Sequence, residues 1–312
     1  MVSRYATLPL GVDLGTARTR VALMERRGTG APRLIGVAVR PTASEPAQAL
    51  AAALAELGTR ERRCVLALAA PLALLRAVQF PVLARRERDR AARFEAARSI
   101  TYPIDDAAVR IVAVDTARCV LAIAPRRSIK ERAAFARAAG LRPVAIDDAA
   151  FALLRCVPAD TAVVDVGATA TMLVAGDDPV PIAQTFPTGG KALTEAIARG
   201  LGIDAGAAEH RKMTIGLAGA GETARDELVL QIAAALVTAR AAVRTTIRSV
   251  ALTGNGSRLA GLADALERAV AMPVRPAVLP EALSSALPSD VVRAASPDWA
   301  LACGLALWDT AA

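Results

Sequence analysis

Short apolar runs broken by an Asp-x-Gly turn occur twice in the chain, at corresponding places. Leu10–Met24 reads GVDLGTARTRVALM after its first leucine, and Val163–Ala175 reads VVDVGATATMLVA. Aligned without gaps, Asp13 falls on Asp165, Gly15 on Gly167 and Thr19 on Thr171. Each copy is an apolar strand, a tight polar turn and a second apolar strand, which is the pattern of a β-hairpin. A third strand follows in each half, at Arg33–Arg40 and at Val180–Phe186, and then a helix, at Glu45–Leu57 and at Lys191–Leu201. The pair predicts an internal duplication, a sharper signal than either hairpin alone.

The remaining pattern alternates strand and helix. Strands are predicted at Cys64–Ala69, Val109–Val114, Cys119–Ala124, Pro143–Ile146 and Val250–Thr253. Helices are predicted at Arg85–Ile100, Ser128–Ala139 (with Gly140 just past its end), Ala149–Cys156, Arg225–Ile247, Leu259–Ala269 and Trp299–Trp308. Val292–Ala295 reads as short irregular structure. Such alternation means α/β sheets flanked by helices. Residues 72–143 fit neither copy of the duplication and read as an inserted α+β subdomain. The expected organisation is therefore 1–71 plus 144–160 as the first half, 72–143 as the insert and 161–312 as the second half. The glycines 216, 219 and 221 crowd a short segment between Lys212 and the helix at Arg225, so the upper part of the second half is expected to be reduced.

Composition narrows the classes. A hydrophobic share of 54% supports sizeable cores, and aromatic residues at 3% leave them to small aliphatics. The net charge of +8 comes from scattered arginines with no aromatics interleaved, so no single-strand stacking platform is predicted and nucleic acid is not an expected partner. The arginines read first as solvated helix faces, with a weak attraction to an anionic inner-membrane surface as the middle reading. Cys64, Cys119, Cys156 and Cys303 stand far apart, and His210 is the lone histidine, so neither a zinc site nor a disulfide framework is signalled. The N-terminus lacks a signal-peptide pattern, and the longest apolar run, near Cys64–Leu75, stops at Arg76. The expected location is cytoplasmic, peripheral to the inner membrane only through a partner.

The paired hairpins carry the chemistry. A polyphosphate needs backbone N–H donors in turns free of bulky side chains, which Gly15, Thr16, Gly167 and Ala168 offer. Hydroxyls at Thr16, Thr19, Thr169 and Thr171 add donors, and Arg20 can meet phosphate oxygens as a fork. Mg²⁺ takes one or two carboxylates beside waters and phosphates, and Asp13 and Asp165 fit that need. Either hairpin alone is better read as a tight turn whose Asp accepts local amides; the pair favours a clamp for ATP and Mg²⁺. Gly254, Asn255 and Gly256, at the end of a strand and ahead of a helix, let backbone approach a base or ribose. Glu209 and Lys212, three apart on a helix, share a face suited to ribose and adenine, or simply form a surface ion pair.

In this order the motifs resemble the actin-like ATPase superfamily, a duplicated ribonuclease H-like fold. Asp13–Arg20 resembles its first phosphate motif, Asp165–Thr171 its second and Thr253–Ser257 its adenosine motif. Ala145–Ala152 resembles the helix joining the halves, where Asp147, with Asp148 as a near alternative, is the residue expected to orient attacking water; either residue also suits an N-cap of the helix at Ala149. Within the superfamily the chain is most similar to the PilM family of type IV pilus assembly ATPases and its relative FtsA. That similarity is carried by Gly189–Thr194, Ala208–Lys212, Ala139–Pro143, Ile100–Pro103 and the end from Ala295 to Leu307. It adds Gly189 and Gly190 to the expected nucleotide-binding set.

The resemblance implies a cytoplasmic scaffold of a pilus (or related secretion) platform with slow or no ATP hydrolysis. It implies binding of the cytoplasmic N-terminal peptide of a PilN-like bitopic membrane protein and allows for a homo-oligomer. The ending Trp308-Asp-Thr-Ala-Ala lacks an FtsA-style amphipathic helix, which favours PilM. The alternatives are a small-metabolite kinase of the same superfamily and an FtsA-like cell-division protein.

Overall fold

The computed structural model describes residues 5–42, 45–69, 72–81, 84–115, 118–176, 181–217, 219–278, 283 and 286–308. In chain order the elements are β1 (Tyr5–Thr7), β2 (Leu10–Leu14), β3 (Arg18–Arg27), β4 (Arg33–Pro41), α1 (Pro46–Leu57), β5 (Arg63–Leu68), β6 (Leu74–Gln79), α2 (Arg85–Ala97), β7 (Ala107–Asp115), β8 (Arg118–Pro125), α3 (Arg126–Ala138), β9 (Arg142–Asp148) and α4 (Ala149–Leu154). They continue as β10 (Thr161–Val166), β11 (Thr171–Ala175), β12 (Ile182–Phe186), α5 (Gly190–Leu201), α6 (Ala205–Thr214), α7 (Glu222–Ala242), β13 (Ser249–Thr253), α8 (Leu262–Val270), β14 (Val274–Pro276) and α9 (Ser289–Ala306).

The duplication is visible in the sheets. One runs β4-β3-β2-β5-β9, with β1 also on β3, and the other runs β12-β11-β10-β13-β14. Within each, the hairpin strands pair antiparallel and the next two strands join in parallel. Equivalent strands therefore carry Asp13, opposite Arg20, and Asp165, opposite Met172. The near-continuous apolar character of β2, β5, β10 and β13 follows from burial on both faces. Strands β6, β8 and β7 form a separate three-stranded sheet under α2, whereas α3 packs against α1, β5 and β9.

Helix α9 lies between the two large sheets. Its Trp299, Ala302, Cys303 and Ala306 share one buried cluster with Ala22 and Met24 of β3, Val163 of β10, Met172 and Val174 of β11, and Ala149, Ala150 and Leu153 of α4. Two glycines permit the approach. A Cβ on Gly11 would stand 1.8 Å from the Ala302 carbonyl oxygen, and one on Gly304 would stand 1.8 Å from that of Ala152. Pattern reading places only Trp299–Trp308 in this helix and leaves Val292–Ala295 irregular. The structure starts α9 at Ser289 and carries it through Pro297. A proline lacks the N–H that would bond back one turn, so the helix loses one internal bond there yet continues.

The strands β1, β6 and β14 have no counterpart in the predicted set, while the boundaries elsewhere shift by a few residues. Val180, where the third strand of the second half was expected to begin, and the last four residues lie outside the described residues. All four cysteines are buried thiols. Among the described residues no helix is long and apolar enough to cross a membrane.

The close approach of α9 gives a direct test. Gly304→Ala should lower stability by roughly 2 to 3 kcal/mol, since backbone rather than a pliable side chain blocks the new methyl. Gly58, in the left-handed region with nothing within 4 Å of its would-be Cβ, is the control; Gly58→Ala should cost only about 1 kcal/mol. Urea denaturation of the two variants checks both values.

Candidate functional site

The two hairpins face one cleft of about 200 Å³. From the first half it is lined by Asp13, the turn Gly15–Arg18, Arg20, the β5 end at Ala67 and Ala69, and Arg132 of α3. From the second half come Asp165, the turn Gly167–Ala170, and Thr253, Gly254 and Asn255 after β13, with Asp298 and Leu301 of α9.

Each turn is held from behind by a buried threonine at the duplicated position. Thr19 bonds Thr42 at 3.0 Å, and Thr42 donates to the Gly15 carbonyl at 2.7 Å. Thr171 donates to the Thr188 carbonyl at 2.7 Å. Thr19 and Thr171 were candidate phosphate donors, but both are fully buried and serve the turns instead; strand alternation puts them on the face away from the cleft. Thr16 and Thr169 do line it.

The carboxylates sit in a protein environment that disfavours their charge. Burial raises Asp13, with the Arg20 and Arg132 guanidinium groups pulling it back down. Asp165 is pushed up to about 7, first by burial and then by the charge of Asp13, against a lowering by Arg20. Arg20 ties the halves together across the cleft: it donates to Asp13 at 3.4 Å and to the Asn255 side-chain oxygen at 2.7 Å. Gly254 has φ of 75°, and a Cβ there would stand 2.6 Å from the Asp165 carboxylate, so this position requires glycine. Gly256 is needed for packing, since its Cβ would overlap Val166. Thr253 and the Gly254 N–H both donate to the Pro297 carbonyl, the latter at 3.1 Å.

The other expected residues stand behind or beside the cleft. Gly189 and Gly190 back the second turn: the N–H groups of Gly190 and Lys191 donate to Gly167 and Ala168 at 2.9 and 2.8 Å, and a Cβ on Gly189 would meet Gly167 and Ala170 at 2.7 Å. Lys212 donates to the Gly190 carbonyl at 2.8 Å, to Thr194 at 2.7 Å and to Glu209 at 2.7 Å. Burial raises Glu209, but the bonds from Lys212 and Thr194 and the charges of Lys212 and Arg18 win and hold it low. Asp147 is not brought to the cleft. It pairs with Arg155 at 2.6 Å, beside the Gly304 carbonyl. Asp148 caps α4 by accepting from Ala150 at 2.8 Å, and burial pushes it up to about 7.

Chemically, two facing carboxylates, two glycine-bent turns and flanking guanidinium groups suit a cation chelated by an anionic oxygen-rich ligand. Among the described residues no cluster of three or more His, Cys, Asp or Glu is placed to hold a metal by protein ligands alone. A hard divalent ion that keeps water and takes phosphate oxygens fits this donor set, through Asp13 and Asp165.

The model of the type IV pilus assembly protein PilM family matches residues 42–310. The chain belongs to the PilM family. A solved PilM–PilN type IV pilus biogenesis complex contains a chain superimposing with a TM-score of 0.85 at 29% identity, over 96% of this chain and 97% of that one. Two further structures share the fold. The ethanolamine utilization protein EutJ of Carboxydothermus hydrogenoformans matches with a TM-score of 0.60 at 16% identity over 97% and 90% of the two chains. A glycerol dehydratase reactivase matches at 0.58 and 10% over 98% and 100%. No curated protein matches. The architecture is thus the actin-like ATPase fold expected from the motifs.

For this PilM-family chain, motif reading overlooked Arg18, Arg132 and Asp298. Arg132 and Asp298 reach the cleft from helices distant in sequence, which no local pattern could reveal.

The raised carboxyls set a pH dependence. A carboxyl with a folded pKa of about 7 and an ordinary value near 3.8 holds its proton in the folded state after the unfolded chain has lost it. The unfolded state then binds fewer protons, so stability falls as pH rises from about 4 to 7 and levels off above. Each such group contributes a slope of about 1.4 kcal/mol per pH unit. Asp165→Asn should flatten the ligand-free slope by about that amount in denaturation series from pH 5 to 7. Asp148→Asn should do the same while keeping the helix cap, since Asn caps equally well.

Proposed function

We propose that this chain is an ATP- and Mg²⁺-binding scaffold of a type IV pilus inner-membrane assembly platform. Support comes from one combination: paired Asp-x-Gly hairpins facing a single cleft, in a chain of the PilM family that aligns end to end with the PilM of a PilM–PilN complex. In this reading Asp13 and Asp165 hold Mg²⁺, and the N–H groups of Gly15, Thr16, Ala168 and Thr169 face the phosphates, while that of Gly167 closes its own turn on the Ala170 carbonyl at 2.9 Å. Gly254–Gly256 lies along the adenosine, and Lys212 with Glu209 fixes the α5–α6 wall beside it. The bound cation supplies charge neutralisation of the polyphosphate; the chain supplies orientation.

Hydrolysis is slow or nil, because Asp147, the residue expected to orient water, is committed to Arg155. The inserted unit is the three-stranded sheet with α2, within residues 72–125, since α3 and the start of β9, expected in the insert, pack with the first half; the groove beside it takes the cytoplasmic N-terminal peptide of a PilN-like bitopic protein. The chain then works at the inner face of the membrane through that partner.

Calorimetry tests the reading. Wild type should bind ATP·Mg²⁺, and Asp13→Ala and Asp165→Ala should each weaken it by about ten-fold or more. Unchanged affinity in both variants would defeat the assignment of the cleft. A synthetic N-terminal peptide from the partner encoded alongside should bind wild type, and absence of binding would defeat the partner half of the reading.

A further inference from the structure

We infer that Arg132 senses the terminal phosphate, making the cleft favour a triphosphate over a diphosphate and tying α3 to which of the two is bound. This rests on the cleft being a nucleotide site.

The argument begins with the positive groups of the cleft. Arg20 is spent on Asp13 and Asn255, and so joins the halves rather than offering its fork to a ligand. Arg132 is different. It reaches the cleft from the middle of α3, with one nitrogen on the Leu14 carbonyl at 2.5 Å, immediately before the first turn. A guanidinium has five N–H donors, and this single carbonyl takes one. The remaining fork lies on the wall that Asp13 shares. Asp13, which would hold the cation, and Arg132 line the same cleft, so the fork of Arg132, which matches phosphate geometry, would face the phosphates of a nucleotide chelated there.

The position in the chain gives this contact a consequence. Strand β8, the middle strand of the three-stranded sheet, passes into α3 with no intervening loop, at Pro125 and Arg126. Arg132 lies nearly two turns along that helix, and α3 rests on α1, β5 and β9. A contact to the terminal phosphate therefore acts on a helix that continues directly from the small sheet. A ligand shifts a conformational equilibrium only through differential contacts with its states, and a group present in a triphosphate but absent from a diphosphate provides one.

The experiment measures ATP·Mg²⁺ and ADP·Mg²⁺ affinities by calorimetry for wild type, Arg132→Gln and Arg132→Lys. It adds amide hydrogen exchange over residues 126–138 with each nucleotide. Wild type should prefer ATP, and Arg132→Gln should lose about ten-fold in ATP affinity with ADP affinity unchanged. Arg132→Lys should recover part of the preference, since it restores charge without the fork. ATP should slow exchange in α3 of wild type beyond ADP, and that difference should vanish in Arg132→Gln. Equal losses for both nucleotides, or no loss for either, overturn the inference while leaving the cleft reading intact. A wild type that binds neither nucleotide overturns both.

Discussion

A single helix touches both halves of this molecule at backbone distance, and the cleft depends on it. Gly11 and Gly304 remove the side chains that would hold α9 away from β2 and from α4. With those approaches made, α9 carries the Pro297 carbonyl to Thr253 and Gly254 and places Asp298 in the cleft wall. The buried cluster around Trp299 and Cys303 then contains residues of both sheets rather than of one. Because apolar burial is non-directional, it cannot by itself fix the relation of the hairpins. The hydrogen bonds from Thr253 and Gly254 supply the direction. They end on a carbonyl inside the helix, so they fix α9 along its axis as well as across it.

The cleft is electrostatically unbalanced in a way that follows from the broken duplication. The two hairpins share topology, buried threonine and glycine turn, yet the residue opposite the aspartate is Arg20 in one and Met172 in the other. Asp13 has guanidinium groups beside it, whereas Asp165 faces an apolar residue across its hairpin and has Asp13 itself as a like charge. Burying two carboxyls without full pairing disfavours their charged forms. A cation shared between them removes that cost for both. The asymmetry lies in the neighbours: the guanidinium groups offset part of the burial of Asp13, whereas the charge of Asp13 adds to the burial of Asp165.

Much of this was legible in the sequence because it is local. The hairpins, their duplication and the glycine turns depend on residues within a short stretch of chain, so the pattern reports them directly. The Glu209 and Lys212 pair was visible from its spacing, but its attachment to Gly190 and Thr194 was not, since α5 and α6 meet only in the fold. Strand alternation by itself assigns Thr19 and Thr171 to the supporting side, because each neighbours the position paired with an aspartate. Asp147 stands just ahead of the connecting helix, as the motif implied; what diverts it is Arg155, eight residues on. The last helix misled in the opposite direction: the pattern begins it at Trp299, whereas the fold starts it at Ser289 and carries it through Pro297.

The residues least legible are those that make the cleft more than the sum of two hairpins. Arg132 and Asp298 enter from α3 and α9, each far along the chain from the aspartate of its own half. Their side chains alter the charge of the site without belonging to any motif. Both lie on helices that also pack elsewhere, α3 beneath the first sheet and α9 between the two. A charge on either helix is therefore coupled to packing well outside the cleft. Duplication can supply the grip on a ligand, while the sensitivity of the rest of the molecule to that ligand resides in the parts that were not duplicated.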